Sequence, residues 1–268
     1  MSADIKQLRT RIKSVNSTLH LTKAMGLVAS SKIRRATESM IKGNEYAEAF
    51  NEVAEQLSSY EDCRNNPYMK KRTGDKIRLV VIAGDRGLAG GYNANIFRLM
   101  REYQNAEIIA VGKRACEKYG GKYVSAEKFS FSDAMNIANE VCSDFVGGKI
   151  DKFGIVCTKY ISLMSQEAEV RWVLPLDRKS EKLKTESAIF EPDAETVLNA
   201  VVPEYVSGMI VSCVKESFAC EIAARRVAMD NADKNAQEML ERLGLEYNRA
   251  RQGAITQEIT EIVAGSGI

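Results

Sequence analysis

The sequence predicts an α/β protein: a long antiparallel coiled coil of the N- and C-terminal helices with an inserted open α/β (Rossmann-like) domain. Three observations predict it. An apolar three-four spacing runs unbroken from Ile5 to Leu57. Short apolar runs then alternate with helical segments, and all four prolines (Pro67, Pro175, Pro192, Pro203) lie between the two terminal stretches.

The first helix is read over residues 1–58, with Ser2 or Asp4 as its cap. Its seam is Ile5, Leu8, Ile12, Val15, Leu19, Thr22, Gly26, Ala29, Ile33, Ala36, Met40, Gly43, Ala47, Phe50, Ala54 and Leu57. No charge falls on it, although Lys6, Arg9, Arg11, Lys13, Lys23, Lys32, Arg34 and Arg35 lie between. A 3.5-residue repeat of this length argues for a coiled coil, whose stripe must be buried against a partner. At 1.5 Å per residue the helix would run roughly 80 Å. Small seam residues (Gly26, Ala29, Ala36, Gly43, Ala47, Ala54) predict a thin rod. Gly26 in mid-helix costs about 1 kcal/mol relative to alanine, which close packing against a neighbour offsets.

Basic residues dominate this helix up to Lys42, and Glu45, Glu48, Glu52 and Glu55 beyond it. The pattern fits a basic rod docking on acidic surfaces, or simply the solvated face of a coiled coil. Nucleic acid fits poorly, because no aromatic residue interleaves the basic ones before Tyr46.

Residues 58–75 are polar and broken by Pro67 and Gly74, hence a loop. Ile77–Ala83 is a short apolar run typical of a strand buried on both faces. A glycine-rich turn, Gly84–Asn93, leads into a helical segment through Tyr103. Strands are read at Glu107–Val111, Lys152–Lys159 and Ala168–Leu176, with a helix from about Phe129 to Val146 that has Ser132 or Asp133 near its start. Strands alternating with helices argue for an open α/β sheet. Asp177–Ser187 is read as a charged loop or hairpin. Glu191-Pro192-Asp193 opens a short helix to about Val201, and Pro203 marks the start of the second long helix, about Glu204 to Val263. Met229, Ala232, Ala236, Met239 and Leu243 keep the three-four spacing there, which then slips to Tyr247, Ala250 and Ala254.

The 268 residues carry 38 Lys and Arg against 36 Asp and Glu, a formal charge of +2 that gives no global reason to expect nucleic acid. No run of about 18 apolar residues suggests a membrane span. The charged start, Met1 to Arg11, has neither the apolar core of a secretory signal nor an Arg- and Ser-rich import leader, so a bacterial cytoplasmic setting is expected. The six cysteines show no C-x-x-C pair and read as reduced, buried thiols rather than a metal site. His20 is the only histidine, far in sequence from any cysteine or acidic cluster, so no nucleophile-histidine arrangement is expected. Neither a catalytic residue nor a cofactor is expected. The turn Gly84–Asn93 follows a strand and precedes a helix, as phosphate cradles do. It matches neither G-x-x-x-x-G-K-[ST] nor G-x-G-x-x-G, and is read as a structural turn needing positive φ.

Three segments then point to a family. The opening IKQLRTRIKSVNSTLHLTKAMGLVASSKIRRA, the turn GDRGLAGGYN, and the closing ESFACEIAARRVAMDNADKNA with YNRARQGAITQEITEIV resemble the gamma subunit of F-type, proton-translocating ATP synthases, in order and from end to end. The resemblance implies a non-catalytic central rotor shaft. Its terminal helices, 1–58 and 204–268, would turn inside a ring of alpha and beta subunits. Its globular part, 59–203, would sit near the epsilon subunit and the c-subunit ring, peripheral on the cytoplasmic side of a bacterial cell membrane, with no transmembrane segment of its own. The same resemblance implies contacts to the alpha/beta ring through Lys23, Met25, Arg34 and Arg35 of the first helix, and Arg251, Gln252, Thr256 and Glu258 of the last. Two sites depart from the family's usual pattern. Gly26 stands where Glu follows TKAM, and Cys220–Arg226 (CEIAARR) stands where the family has S-E-H-A-A-R-M. The residues alone also admit a nucleotide-binding α/β enzyme with a coiled-coil oligomerisation arm, or a coiled-coil scaffold.

Overall fold

The computed structural model describes residues 3–121, 124–177 and 190–265. The elements in order are α1 (Ala3–Ser58), β1 (Ile77–Ile82), α2 (Tyr92–Leu99), β2 (Glu107–Val111), α3 (Lys113–Tyr119), α4 (Phe131–Val146), β3 (Lys152–Tyr160), β4 (Gln166–Leu174) and α5 (Ala194–Gly265). The chain divides into two compact units, residues 1–30 with 225–268, and residues 31–224.

The α1 seam follows the heptad reading residue for residue. Every seam position is buried or half-buried, and Ser58 is the one other residue described as buried in this helix. The charged residues between them face outward, as a 3.5-residue apolar repeat requires.

In the larger unit a four-stranded sheet has the order β2-β1-β3-β4. β1 runs parallel to β2 and β3, and β4 returns antiparallel to β3. The apolar run of β1 is buried on both faces, with Leu79, Val80, Val81 and Ile82 all at 0 % exposure. One face packs on Leu57, Ala138, Phe145, Leu198, Val206 and Ile210, from α1, α4 and α5. The other packs on Tyr92, Ile96, Ala115 and Cys220, from α2, α3 and α5. The α4 helix is capped by Ser130, with Ser132 and Asp133 in its first turn as expected. Ser130 and Asp133 form a reciprocal capping box. The expected fourth strand lies two residues earlier, at Gln166–Leu174. Most of the expected Asp177–Ser187 loop, residues 178–187, falls outside the described residues.

One boundary is corrected. The short helix and the second long helix are a single α5, with Pro203 inside it. Asp193 opens it: its carboxylate accepts from the backbone N–H and the hydroxyl of Thr196, both at 2.8 Å. A mid-helix proline costs about 3 kcal/mol. Burial of Leu198, Val202, Val206 and Ile210, four successive residues of one helical face at 0 % exposure, offsets it.

A second correction concerns the α5 seam. Met239 is exposed (43 %) and Leu240 half-buried. With Asp233 taking a seam place, the series Met229, Asp233, Ala236, Leu240, Leu243, Tyr247, Ala250, Ala254 is an unbroken heptad without a slip. A polar Asp233 hid the register, and an apolar Met239 suggested a false one. Finally, by length and composition α5 does contain an 18-residue window apolar enough to cross a membrane, where none was expected. More than half of that window is buried inside the fold, as in the core helix of a soluble domain.

Candidate functional site

In the smaller unit α1 and α5 run antiparallel. Arg9 Nη2 donates to Tyr247 OH at 3.0 Å, with its guanidinium 5.9 Å over the ring. Further along α1, the Thr22 hydroxyl donates to Asp233, which answers the polar residue that Asp233 brings into the seam. At Gly26 the close neighbours are Arg226 and Met229 of α5. As α1 advances from 9 to 26, its partner on α5 thus retreats from 247 to 226–229. Extending this register places Ala3 level with residues 252–253. Among the described residues, α5 past about Ile255 has no α1 residue beside it, and every residue from Ile255 to Gly265 is exposed.

The bare segment carries an apolar stripe. Ile255, Ile259 and Ile262 recur at i, i+4 and i+7 with exposures of 47, 56 and 70 %. Such a stripe on an unpaired helix asks for an apolar partner surface. Of the expected contact residues, Arg251, Gln252, Thr256 and Glu258 lie on or just before this segment and are exposed. The Thr256 hydroxyl donates back to the Gln252 carbonyl at 2.9 Å, leaving the Gln252 side chain outward. Lys23 is exposed and Met25 half-buried, beside exposed Leu21, Leu27 and Val28.

These residues do not form one site. By the α1–α5 register Lys23 stands level with about residue 232, some 19 residues or roughly 30 Å of helix from Arg251. They make two separate surfaces on one rod. Arg34 and Arg35 belong to the larger unit, where both are exposed. Arg34 pairs loosely along its own helix with Glu38 at 3.6 Å, a contact of small energetic weight.

The glycine-rich turn is occupied by the protein's own groups. The Gly84 N–H donates to Asn93 Oδ1 at 2.9 Å, and Asp85 accepts from the N–H groups of Lys113 (3.0 Å) and Glu127 (3.1 Å) and from the Ser125 hydroxyl (2.7 Å). Positive φ occurs at Leu88 (61°) and Gly90 (57°), so the turn does need the left-handed region, at residues inside it. A phosphate cradle presents open N–H groups; here the Gly84 N–H is taken by Asn93, and the Asp85 carboxylate sets a negative charge in the turn. The sequence did not disclose this Asp85 hub, since its partners lie 28 to 42 residues away. It also missed α3, a seven-residue helix whose only signals are the flanking Gly112 and Gly120, both at positive φ.

The comparisons with known proteins come down on one side. A family model described as ATP synthase matches residues 4–267. The ATP synthase gamma chain of Ruminococcus albus is 41% identical over 282 residues, covering 98% of each chain. The sodium ion specific gamma chain of Acetobacterium woodii is 35% identical over 298 residues, covering 99% of each. Among solved structures, a chain of the Euglena gracilis mitochondrial ATP synthase (OSCP/F1/c-ring) superposes with a TM-score of 0.66 at 20% identity, over 99% of this chain and 96% of that one, and shares the fold. The chain belongs to the ATP synthase gamma-chain family.

Proposed function

We propose that this chain is the central rotor shaft of an ion-translocating ATP synthase, with α1 and α5 turning inside a ring of alpha and beta subunits. The observation that carries the reading is the antiparallel α1–α5 pair whose outer face is not uniform. At one level it presents Lys23 and Leu21, and at another Arg251 and the bare isoleucine stripe. A shaft with different faces cannot meet three equivalent beta subunits in the same way. Each angular position therefore favours a different conformation of each subunit, and so a different nucleotide affinity. That is a coupling free energy between angle and site, and it is reciprocal. Ion flow that turns the shaft drives ATP release, and hydrolysis turns it back.

The role is mechanical, with chemistry left to the ring. The glycine turn supports this, because its Asp85 carboxylate is engaged by donors of the chain itself and its Gly84 N–H by Asn93. The segments 1–58 and 204–268 serve as shaft. The part between them, 59–203, meets the epsilon subunit and the c-subunit ring, peripheral to the cytoplasmic side of a bacterial cell membrane. The ring contacts are assigned to Lys23, Met25, Arg34, Arg35, Arg251, Gln252, Thr256 and Glu258.

The test is purification of the tagged chain from its host with subunit identification and an ATPase assay. Co-elution of two larger subunits with ATPase activity, uncoupled from ion transport when this chain is removed, is the expected result. Elution alone, with nucleotide bound at Gly84–Asn93, would favour the enzyme reading instead.

A further inference from the structure

We propose that the Gly84–Asn93 turn and the 124–128 loop form a socket by which the sheet grips both long helices, with Lys32, Asp85 and Glu127 as its positioning residues; this rests on the shaft reading. Torque delivered to the sheet must reach α1 and α5 sideways. The covalent route after α1, residues 59–76, holds two three-residue 3-10 turns and no longer element. Apolar packing resists separation but is non-directional. Directional contacts have to fix the rotation.

The turn and the 124–128 loop together supply such contacts on both sides. Towards α1, Glu127 Oε1 accepts from Lys32 Nζ at 2.6 Å, and its other oxygen lies 3.9 Å from the Arg86 guanidinium. Asp85 sets Glu127 in place by accepting from its backbone N–H and from Ser125 in the same loop. It also holds the N-terminus of α3 through Lys113 N–H. Towards α5, the buried Tyr92 hydroxyl donates to the Ser217 carbonyl at 3.0 Å. Gly84 lies so close to the buried Glu221 that a Cβ there would stand 2.8 Å from its carboxyl carbon. Any side chain there would push the Glu221 carboxylate aside. The family motif that the shaft reading leaves without a task thus reaches α5 directly and α1 through the 124–128 loop.

The test uses the whole complex reconstituted into vesicles, reading ATP hydrolysis and ATP-driven ion uptake together. Glu127→Lys sets a cation against Lys32 and Arg86, Asp85→Asn weakens the hub, and Lys32→Glu with Glu127→Lys restores an opposite pair. The socket predicts that ions moved per ATP fall by about threefold or more in each single variant, with hydrolysis within about twofold of the parent, and recover in the reversed pair. An unchanged ratio in both single variants, or a loss in Glu127→Lys that the reversed pair leaves in place, overturns it. Should Asp85→Asn fail to assemble, the surface pair alone decides. A parent complex that hydrolyses ATP with no coupled uptake overturns the shaft reading itself.

Discussion

Arg226 Nη1 donates to the backbone carbonyl of Gly26 at 3.1 Å, and Arg226 Nε pairs with Asp230 at 2.9 Å. Gly26 and Arg226 are both among the positions at which the resemblance marks a departure, from Glu at the first place and from Met at the second. The two departures face each other across the seam and read as one exchange. A long guanidinium reaches over the helix where the side chain has gone, and donates a hydrogen bond to the backbone carbonyl that the glycine exposes.

Gly26→Ala should stabilise the chain by about 0.5–1 kcal/mol, the helix-propensity difference. A Cβ at this position meets Arg226 and Met229 at 3.6 Å, ordinary contact distance. The close approach expected at Gly26 therefore leaves room for a methyl group, whereas Gly26→Leu must displace both neighbours. Thermal unfolding of the isolated chain checks it, and a fall for alanine would show that the backbone cannot keep this spacing.

Gly154→Ala should go the other way. Its Cβ would stand 3.0 Å from Trp172 and 3.2 Å from Leu79, between two packed side chains in the sheet. Overpacking of this kind costs about 1–3 kcal/mol. Denaturant midpoints of the two alanine variants should move in opposite directions.

Burial pushes the Asp85 carboxyl up, but the hydrogen bonds from Ser125, Glu127 and Lys113 outweigh it and hold the group below its ordinary 3.8. A depressed carboxylate contributes stability above its unfolded value and loses it as pH falls through the folded one. Asp85→Asn should therefore be less stable than the parent at pH 7, by about 1 kcal/mol. The gap should close as pH drops below 3.8. Parallel unfolding curves at pH 7 and pH 3 would refute this.

The thiols should divide five to one. Cys63, Cys142, Cys157, Cys213 and Cys220 are buried, and only Cys116 is partly exposed. Burial pushes Cys142 up to about 12, against a weaker opposing hydrogen bond with Tyr68. At pH 8 a thiol reagent should label one cysteine of the native chain quickly, Cys116 by peptide mapping, and all six only in denaturant.

Arg251→Ala combined with Gln252→Leu should leave the far-ultraviolet spectrum and melting of the isolated chain unchanged, since both side chains are exposed. Its affinity for the alpha/beta ring should fall by about tenfold. Wild-type assembly and turnover would remove these residues from the contact surface.

How far the sequence could be read depended on whether the signal was periodic or distant. The α1 seam was legible because one face of a long helix repeats every 3.5 residues, and even Thr22 and Gly26 fell on it. Pro203 misled because local propensity favours a break, while the buried face from Leu198 to Ile210 lies against elements that local reading cannot see. Asp233 misled because its partner, Thr22, is 211 residues away. The expected contact residues rest on resemblance alone. Exposed charge on a helix has no pattern of its own, and the register that separates Lys23 from Arg251 is a tertiary fact.

The most direct measurement attaches a visible probe to the exposed β3–β4 hairpin, through Ser162→Cys in a chain whose reactive Cys116 is replaced, and fixes the alpha/beta ring to a surface. With ATP the probe should turn continuously in one direction, in three equal steps per revolution if the shaft meets three equivalent subunits. A probe that stays fixed while the ring hydrolyses ATP at the parent rate, or that wanders without direction, would contradict the rotor account.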